Sequence, residues 1–277
     1  MDLQEFIKLA LAEDVGNGDH TSLACIPNNA IGSAKLLVKD NGILAGMKIA
    51  EAIFNTFDPS LKFEKILNDG AEVQFGDIAF LVHGKSQSIL TTERLVLNCM
   101  QRMSGIATQT NKIVLLVKDL PVKILDTRKT TPCMRTLEKQ AVVIGGGFNH
   151  RSGLYDMMMI KDNHTDYAGG ISLAIEKAKK YISDNRLDIK IEVEARNIEE
   201  VKEILSAGGV HRILLDNFTP EKMKDAVVHV NKKIETEASG GITMDNVREY
   251  ALTGVNYISM GALTHSVKSL DLSLKAV

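Results

Sequence analysis

Apolar residues recur early in the chain at Leu3, Phe6, Ile7, Ala10 and Leu11, the spacing of one helix face, and the pattern stops at Val15-Gly16. The stretch GDHTSLACI that follows predicts a turn. SAKLLVKDNGILAG predicts two short strands around the turn signal Asp40-Asn41-Gly42. MKIAEAIFNTF predicts an amphipathic helix with Ile49, Ile53 and Phe57 on one face. LKFEKILNDGAEVQFGDIAFLVHGKS returns to strands punctuated by Asp69-Gly70, Gly76-Asp77 and Gly84. Residues 1–103 therefore predict an α+β domain built on a mixed, mostly antiparallel sheet.

TTERLVLNCMQRMSGIATQTNKIVLLVKDL changes character to a long helical stretch with a break expected near Ser104-Gly105. A rhythm then sets in. Short β-prone runs (VKILDTRKTT, DMMMIKDNH, IKIEVEARN, RILLDNF, IETEASGG and VNYISMGA) end in polar or glycine residues, and helical segments lie between several of them. Alternating strand and helix predicts parallel α/β architecture, since parallel neighbours need crossover connections. Glu194, Asp216, Ser239 and Gly261 follow one another at intervals of 22, 23 and 22 residues, one compact strand-plus-helix unit each. Six such strands over residues 104–265 favour a barrel over an open doubly wound sheet; either architecture puts chemistry where strands end.

Composition narrows the classes. The chain has 277 residues, 44% of them hydrophobic, enough for a substantial core, and a formal net charge of −2. That charge gives no global attraction to nucleic acid or to an anionic membrane, so any positive potential must be local. Cys25, Cys99 and Cys133 are far apart with no CxxC pair, which argues against a disulfide framework or thiolate zinc site and suits a reducing cytoplasm. MDLQEFIKLALAEDVG carries charges in place of a long apolar core, and no run reaches the length of a membrane span, so a soluble, cytoplasmic protein is expected.

The strand ends carry the candidate chemistry. Arg128, Lys129, Lys161, Glu194, Asp216, Ser239, Gly240, Gly241 and Gly261 gather on one predicted face, and His150 and Arg151 join them from the preceding loop. Singly, each has a plain reading: a surface cation, a loop cap, a turn. Six successive strands that all end this way describe a site. Four cations roughly 6 Å apart repel by several kcal/mol at an effective dielectric near 20, and two carboxylates cannot neutralise them, so an anionic ligand completes the charge balance. Arginine favours bidentate contact with carboxylate or phosphate, while lysine acts as a point charge. Ser239-Gly240-Gly241, with Gly261 on the next strand, suits a phosphate cradle near a helix start. Glu194 and Asp216 are hard oxygen donors suited to Mg²⁺.

DTRKTTPCMRTLEKQAV, GGGFNHRSGLYDMMMIKDNH, EVEARN, LLDNF, EASGGI and GVNYISMGALTHS, with ALAEDVGNGDHTS and TTERLVLNCMQRMSGIAT earlier, resemble the quinolinate phosphoribosyltransferase family over essentially the whole chain. The resemblance implies an incomplete α/β (TIM-like) barrel with a smaller N-terminal α+β sandwich domain, to which the tail 266–277 returns. It implies transfer of phosphoribosyl from phosphoribosyl pyrophosphate to quinolinate with decarboxylation, using Mg²⁺, in NAD biosynthesis. By motif, Arg128, His150, Arg151 and Lys161 would grip quinolinate, and Lys129 would face phosphoribosyl pyrophosphate. Glu194 and Asp216 would hold ribose hydroxyls and Mg²⁺, and Ser239, Gly240, Gly241 and Gly261 the 5-phosphate. Lys129, Lys161, Glu194 and Asp216 are the expected catalytic group. Arg94 would reach into a neighbouring subunit's site, which makes a homodimer the smallest expected assembly.

One position departs from the family pattern: TTPG is usual after the lysine, and here Cys133 stands at the glycine. A buried structural thiol is expected there, with an altered loop backbone if that position has a positive φ. Three rivals remain. Lys161 could be a Schiff-base lysine as in aldolases; the chain could be a molybdenum-transport-associated relative that shares TRK and GGG…HR; or the N-terminal sheet could be a non-enzymatic binding module.

Overall fold

The computed structural model describes residues 2–277. It begins with α1 (Leu3–Val15), α2 (His20–Cys25), β1 (Ile31–Val38), β2 (Gly42–Ile43), α3 (Met47–Phe57), β3 (Lys62–Lys65), β4 (Glu72–Val73) and β5 (Ile78–Lys85). The middle holds α4 (Ser86–Leu116), β6 (Lys123–Leu125), α5 (Arg135–Ile144), β7 (Met157–Ile160), α6 (Asp162–Ala168) and α7 (Ile171–Asp184). There follow β8 (Lys190–Ala195), α8 (Ile198–Ala207), β9 (Arg212–Asp216), α9 (Pro220–Val230), β10 (Glu235–Ser239), α10 (Val247–Ala251), β11 (Tyr257–Ser259), α11 (Ala262–His265) and β12 (Leu272–Ala276). Two compact units divide this chain: Met1–Asn111 with Thr130–Gly146 and Leu263–Val277, and Lys112–Lys129 with Gly147–Ala262. Set beside the expected segments 1–103, 104–265 and 266–277, the excursion that carries α5 is an addition to the first unit.

The first unit holds an antiparallel four-stranded sheet in the order β12-β1-β5-β3 and a separate β2-β4 pair. Alternation puts Ala34, Leu36 and Val38 of β1 on one buried face, as the two-residue period of a strand requires. Helix α3 buries Ile49, Ala50, Ile53 and Phe54, and Phe54, Phe63 and Phe80 cluster with ring centroids 4.6–6.0 Å apart. Each such aromatic or branched side chain contributes about 1.5–3 kcal/mol by burial.

Four readings are corrected here. GDHTSLACI forms α2, because the Asp19 side chain accepts the Ser22 amide and caps a helix too short to show a hydrophobic period. The two strands around Asp40-Asn41-Gly42 do not pair with each other: β1 lies between β12 and β5, and β2 pairs with β4. Phe54 replaces Phe57 on the buried face of α3. Helix α4 runs unbroken through Ser104-Gly105. Gly105 is there because a Cβ would collide with the Lys268 carbonyl and lie 3.0 Å from Ser269 Cα, so the returning tail can lie against the helix. The tail is pinned by Leu270 N–H to Gln101 O at 3.1 Å and by Gln101 Nε2 to Leu272 O at 2.9 Å.

The second unit is built on a six-stranded parallel sheet in the order β6-β11-β10-β9-β8-β7. From β7 to β11 each strand lies beside its neighbour in sequence, and the last, β11, lies beside the first, β6. That cyclic order is a barrel's order. β6 and β7 do not pair, and beside β6 on that side, among the described residues, lies the isolated bridge Leu125–Phe148 in the loop before β7, so the barrel is incomplete. The chain leaves it at this seam for the excursion 130–146. Amphipathic α8 and α9 bury Val201 and Ile204, and Met223, Ala226 and Val230, in turn. Their starts are fixed by Asn197, which accepts the Glu200 amide, and by Thr219 with Pro220 in the first turn. All six strands point the same way, so their C-terminal ends share one face.

Candidate active site

Sheet register assembles the predicted strand-end residues. Ile160 pairs with Val193, so Lys161 and Glu194 come next side by side, and Lys161 Nζ donates to Glu194 Oε1 at 2.7 Å. Ser239 is in register with Asp216. Asp216 accepts from Asn217 Nδ2 at 2.7 Å, and its pKa is raised, first by burial and then by the nearby Glu194 carboxylate. Like charge between these two carboxylates is what a shared cation would relieve. Glu194 and Asp216 therefore fit Mg²⁺, which takes one or two carboxylates and fills its remaining positions with water or phosphate oxygens. Lys161 is held in an ion pair with Glu194, the arrangement of a charge-pairing lysine rather than of a Schiff-base one.

Arg128 and Lys129 are exposed just beyond β6, where Lys129 N–H donates to Thr127 Oγ1 at 3.0 Å. Arg151 is half buried and donates through Nη1 to Met157 O at 3.2 Å. Its pKa is lowered by burial and by the charge of Arg128. The two guanidiniums are thus close enough to repel, the condition that favours a bound anion.

The glycine loop divides its labour. Gly240 has φ +92°, and a Cβ there would collide with Asn217 Oδ1 and lie 2.9 Å from the Asn217 amide, so only glycine fits. Gly241, with φ +63°, has nothing within 4 Å of a built Cβ: the space beside it is open. The helices nearest the cradle, α10 and α11, are five and four residues long. A helix start therefore contributes little, and the cradle rests on the loop's own amides and the missing side chains.

His150 sits differently from the rest. Its imidazole is 4% exposed, with Nε2 3.0 Å from Glu192 Oε2 and 3.3 Å from Glu237 Oε2, and both glutamates are fully buried. Arg212 Nη1 donates to Glu237 Oε2 at 2.8 Å, and its guanidinium stacks 3.8 Å from the Tyr257 ring centroid. Burial and the neighbouring Glu237 push the Glu192 carboxyl up to about 7. Burial also raises Glu237, but the contacts with His150, Ser259 and Arg212 together outweigh it and the net shift is downward. Burial opposes an imidazolium, yet the Glu192 and then Glu237 contacts would carry the His150 pKa up to about 9. Against that, Arg151 N–H donates to His150 Nδ1 at 2.7 Å, and a nitrogen that accepts a hydrogen bond carries no proton. The contact geometry decides for the neutral tautomer with its proton on Nε2. His150, Glu192 and Glu237 converge closely enough to hold a metal ion. Arg212 already supplies a buried cation there, and a divalent ion beside it would leave positive charge stranded in the core.

Sequence reasoning missed Glu192, Arg212 and Glu237. The signal was present as alternation: in Glu192-Val193-Glu194 and Glu237-Ala238-Ser239 the two-residue period puts each glutamate on the same face as a strand-end site residue. Arg94 lies elsewhere, exposed on α4 in the first unit, beside a cleft lined by Asp14, Asp19, His20 and Thr91. Cys133 is exposed rather than buried and has φ +65°; the buried thiol is Cys99. The left-handed conformation expected of a glycine is thus kept by a residue with a Cβ.

Comparison with known proteins extends these observations. Models of the quinolinate phosphoribosyl transferase N-terminal and C-terminal domains match residues 19–104 and 106–275. The chain is 48% identical over 289 residues to quinolinate phosphoribosyltransferase [decarboxylating] 2b, mitochondrial, of Nicotiana tabacum, covering 99% of this chain and 82% of the relative. It is 41% identical to a probable nicotinate-nucleotide pyrophosphorylase [carboxylating] of Bacillus subtilis, covering 99% and 93%. The solved nicotinate-nucleotide pyrophosphorylase of Ehrlichia chaffeensis superposes with a TM-score of 0.93 at 38% identity, covering 100% and 99% of the two chains. Strand order, strand-end chemistry and these matches agree, and the chain belongs to the quinolinate phosphoribosyltransferase family.

Proposed function

We propose that this chain transfers the phosphoribosyl group of phosphoribosyl pyrophosphate to quinolinate with loss of CO₂, giving nicotinate mononucleotide and pyrophosphate for NAD biosynthesis. The observation that carries this reading is the pairing, on one strand-end face, of the Arg128–Arg151 cations with Lys161–Glu194–Asp216 and the open space beside Gly241. A planar dicarboxylate suits the arginines, and a phosphorylated sugar suits the carboxylates and glycines.

No protein nucleophile is needed. Arg128, Arg151 and Lys161 orient quinolinate so that its ring nitrogen attacks the anomeric carbon, a positioning effect that can be large. Lys129 stabilises charge on the departing pyrophosphate. Mg²⁺, held by Glu194 and Asp216, would neutralise further charge on that leaving group. Ser239, Gly240, Gly241 and Gly261 hold the 5-phosphate. The new pyridinium stabilises the electron pair left on the ring carbon as the adjacent carboxylate departs as CO₂, and a proton from water then takes the carboxylate's place. His150, buried, acts through Arg151.

The reading includes a homodimer as the smallest assembly, with Arg94 reaching the partner's site. Among the described residues no helix is long and apolar enough to cross a membrane. We place the chain in the cytoplasm on its reduced, unpaired cysteines, although several plant relatives are named mitochondrial or chloroplastic. The deciding assay is incubation of purified protein with quinolinate, phosphoribosyl pyrophosphate and Mg²⁺, read by formation of nicotinate mononucleotide. Product from quinolinate and none from nicotinic acid supports the reading; no product from either overturns it.

A further inference from the structure

Beneath the strand-end face lies a second polar layer. Glu192 shares a strand face with Glu194, Arg212 with Asp216, and Glu237 with Ser239, and His150 packs into the layer from its loop. Barrel interiors are commonly filled by branched apolar side chains, so a layer of ionisable groups needs a reason. None of the three strand residues touches the open face; their route to it runs through His150. On one side the ring's Nε2 faces Glu192 at 3.0 Å and Glu237 at 3.3 Å. On the other, Nδ1 accepts the Arg151 amide at 2.7 Å, and the His150 amide itself donates to Asp126 Oδ1 at 2.8 Å. Asp126 stands two residues before Arg128. The histidine thus joins the backbone of both arginine-bearing loops, and the two glutamates decide which way its ring faces.

We propose that Glu192 and Glu237 are positioning residues: with carboxylate oxygens 3.0 and 3.3 Å from His150 Nε2 they hold the ring orientation in which Nδ1 accepts the Arg151 amide, and so set the spacing of the Arg128–Arg151 pair that receives an aromatic dicarboxylate. Arg212 holds the Glu237 carboxylate beneath the ring. This inference rests on the reading under Proposed function.

The test compares Glu192→Leu with Glu192→Gln. Leucine removes the nearer acceptor while leaving the Arg212–Glu237 ion pair intact; glutamine keeps an oxygen. In Glu192→Leu the KM for quinolinate should rise about tenfold, a few tenths of an ångström of misplacement being enough. The KM for phosphoribosyl pyrophosphate should stay within about twofold, and Glu192→Gln should recover most of the loss. Both KM values rising together with a lowered melting temperature in both variants would mean a merely structural role and overturn the proposal. Unchanged kinetics in both would also overturn it. Nitrogen-15 spectra of the wild-type histidines give a check independent of any variant: a His150 ring protonated on Nδ1 overturns the proposal, and one protonated on Nε2 alone supports it. Absence of nicotinate mononucleotide formation by the wild type would instead strike the functional reading, and the spectrum would still report on the tautomer.

Discussion

Lys161 Nζ lies 2.7 Å from Glu194 Oε1, across the register step that follows the pairing of Ile160 with Val193. The lysine is 45% exposed along its side chain while the glutamate is 12% exposed, so the cation reaches outward and the anion stays back. Substitution Lys161→Ala should lower turnover with quinolinate about a hundredfold, chiefly through lost orientation, and borohydride with carbonyl compounds should leave no adduct on the wild-type lysine. Near-normal kcat/KM in the variant would remove Lys161 from the site.

The two glycines of the cradle should fail differently. Gly240→Ala drives a Cβ into Asn217 and should cost stability as well as activity. Gly241→Ala meets no neighbour, so its fold should lose only about 1–2 kcal/mol to backbone strain, while the KM for phosphoribosyl pyrophosphate rises. Melting curves alongside steady-state kinetics separate the two.

Cys133 has φ +65°, where a Cβ is strained and glycine is not. Cys133→Gly should stabilise the protein by about 0.5–1 kcal/mol in urea titration with activity unchanged, the relief of strain being partly offset by the freer unfolded chain. A loss of stability would show that the thiol makes a favourable contact.

Thiol reactivity should follow burial. The Cys99 thiol is pushed up to about 12 by burial, so its thiolate is scarce at pH 8, whereas Cys25 and Cys133 are exposed. A chromogenic disulfide reagent should titrate two thiols in the native protein and the third only in denaturant.

Asp216 should trade stability for chemistry. Its folded pKa is raised, so the ionised carboxylate is less favourable folded than unfolded; that cost is present above the folded pKa and fades as the pH falls through it. Asp216→Asn removes the cost, and the metal-free variant should melt higher than wild type at pH 7 while losing Mg²⁺-dependent turnover. Equal melting temperatures at pH 7 would mean that the burial and repulsion are already compensated.

Shared sites predict complementation. If Arg94 serves the partner's site, Arg94→Ala and Lys161→Ala proteins, each nearly inactive, should regain activity when co-refolded, because some hybrid dimers carry one site with neither change. No recovery in verified hybrids would place Arg94 in its own subunit's chemistry.

All six parallel strands could be read from the sequence because each is a short apolar run closed by polar or glycine residues, and Lys161, Glu194, Asp216 and Ser239 stood at those closures. What escaped was set by distance along the chain. Gly105 looked like a helix break; its meaning lies at Lys268 and Ser269, which no local pattern reveals. The pairing of β1 with β12 overrode a good local turn at Asp40-Asn41-Gly42. His150 was legible as chemistry but not as buried, since its glutamate partners come from two other strands.

Strand β12 fixes an order of events. Its five residues complete the edge of a sheet whose neighbouring strand, β1, is translated more than two hundred residues earlier. During synthesis the barrel strands therefore emerge while the first sheet still lacks a member, and the β1 edge stays unpaired until β12 has been made. The first sheet is therefore completed only after the strands of the second unit, and for that interval its open edge is a template for strand exchange.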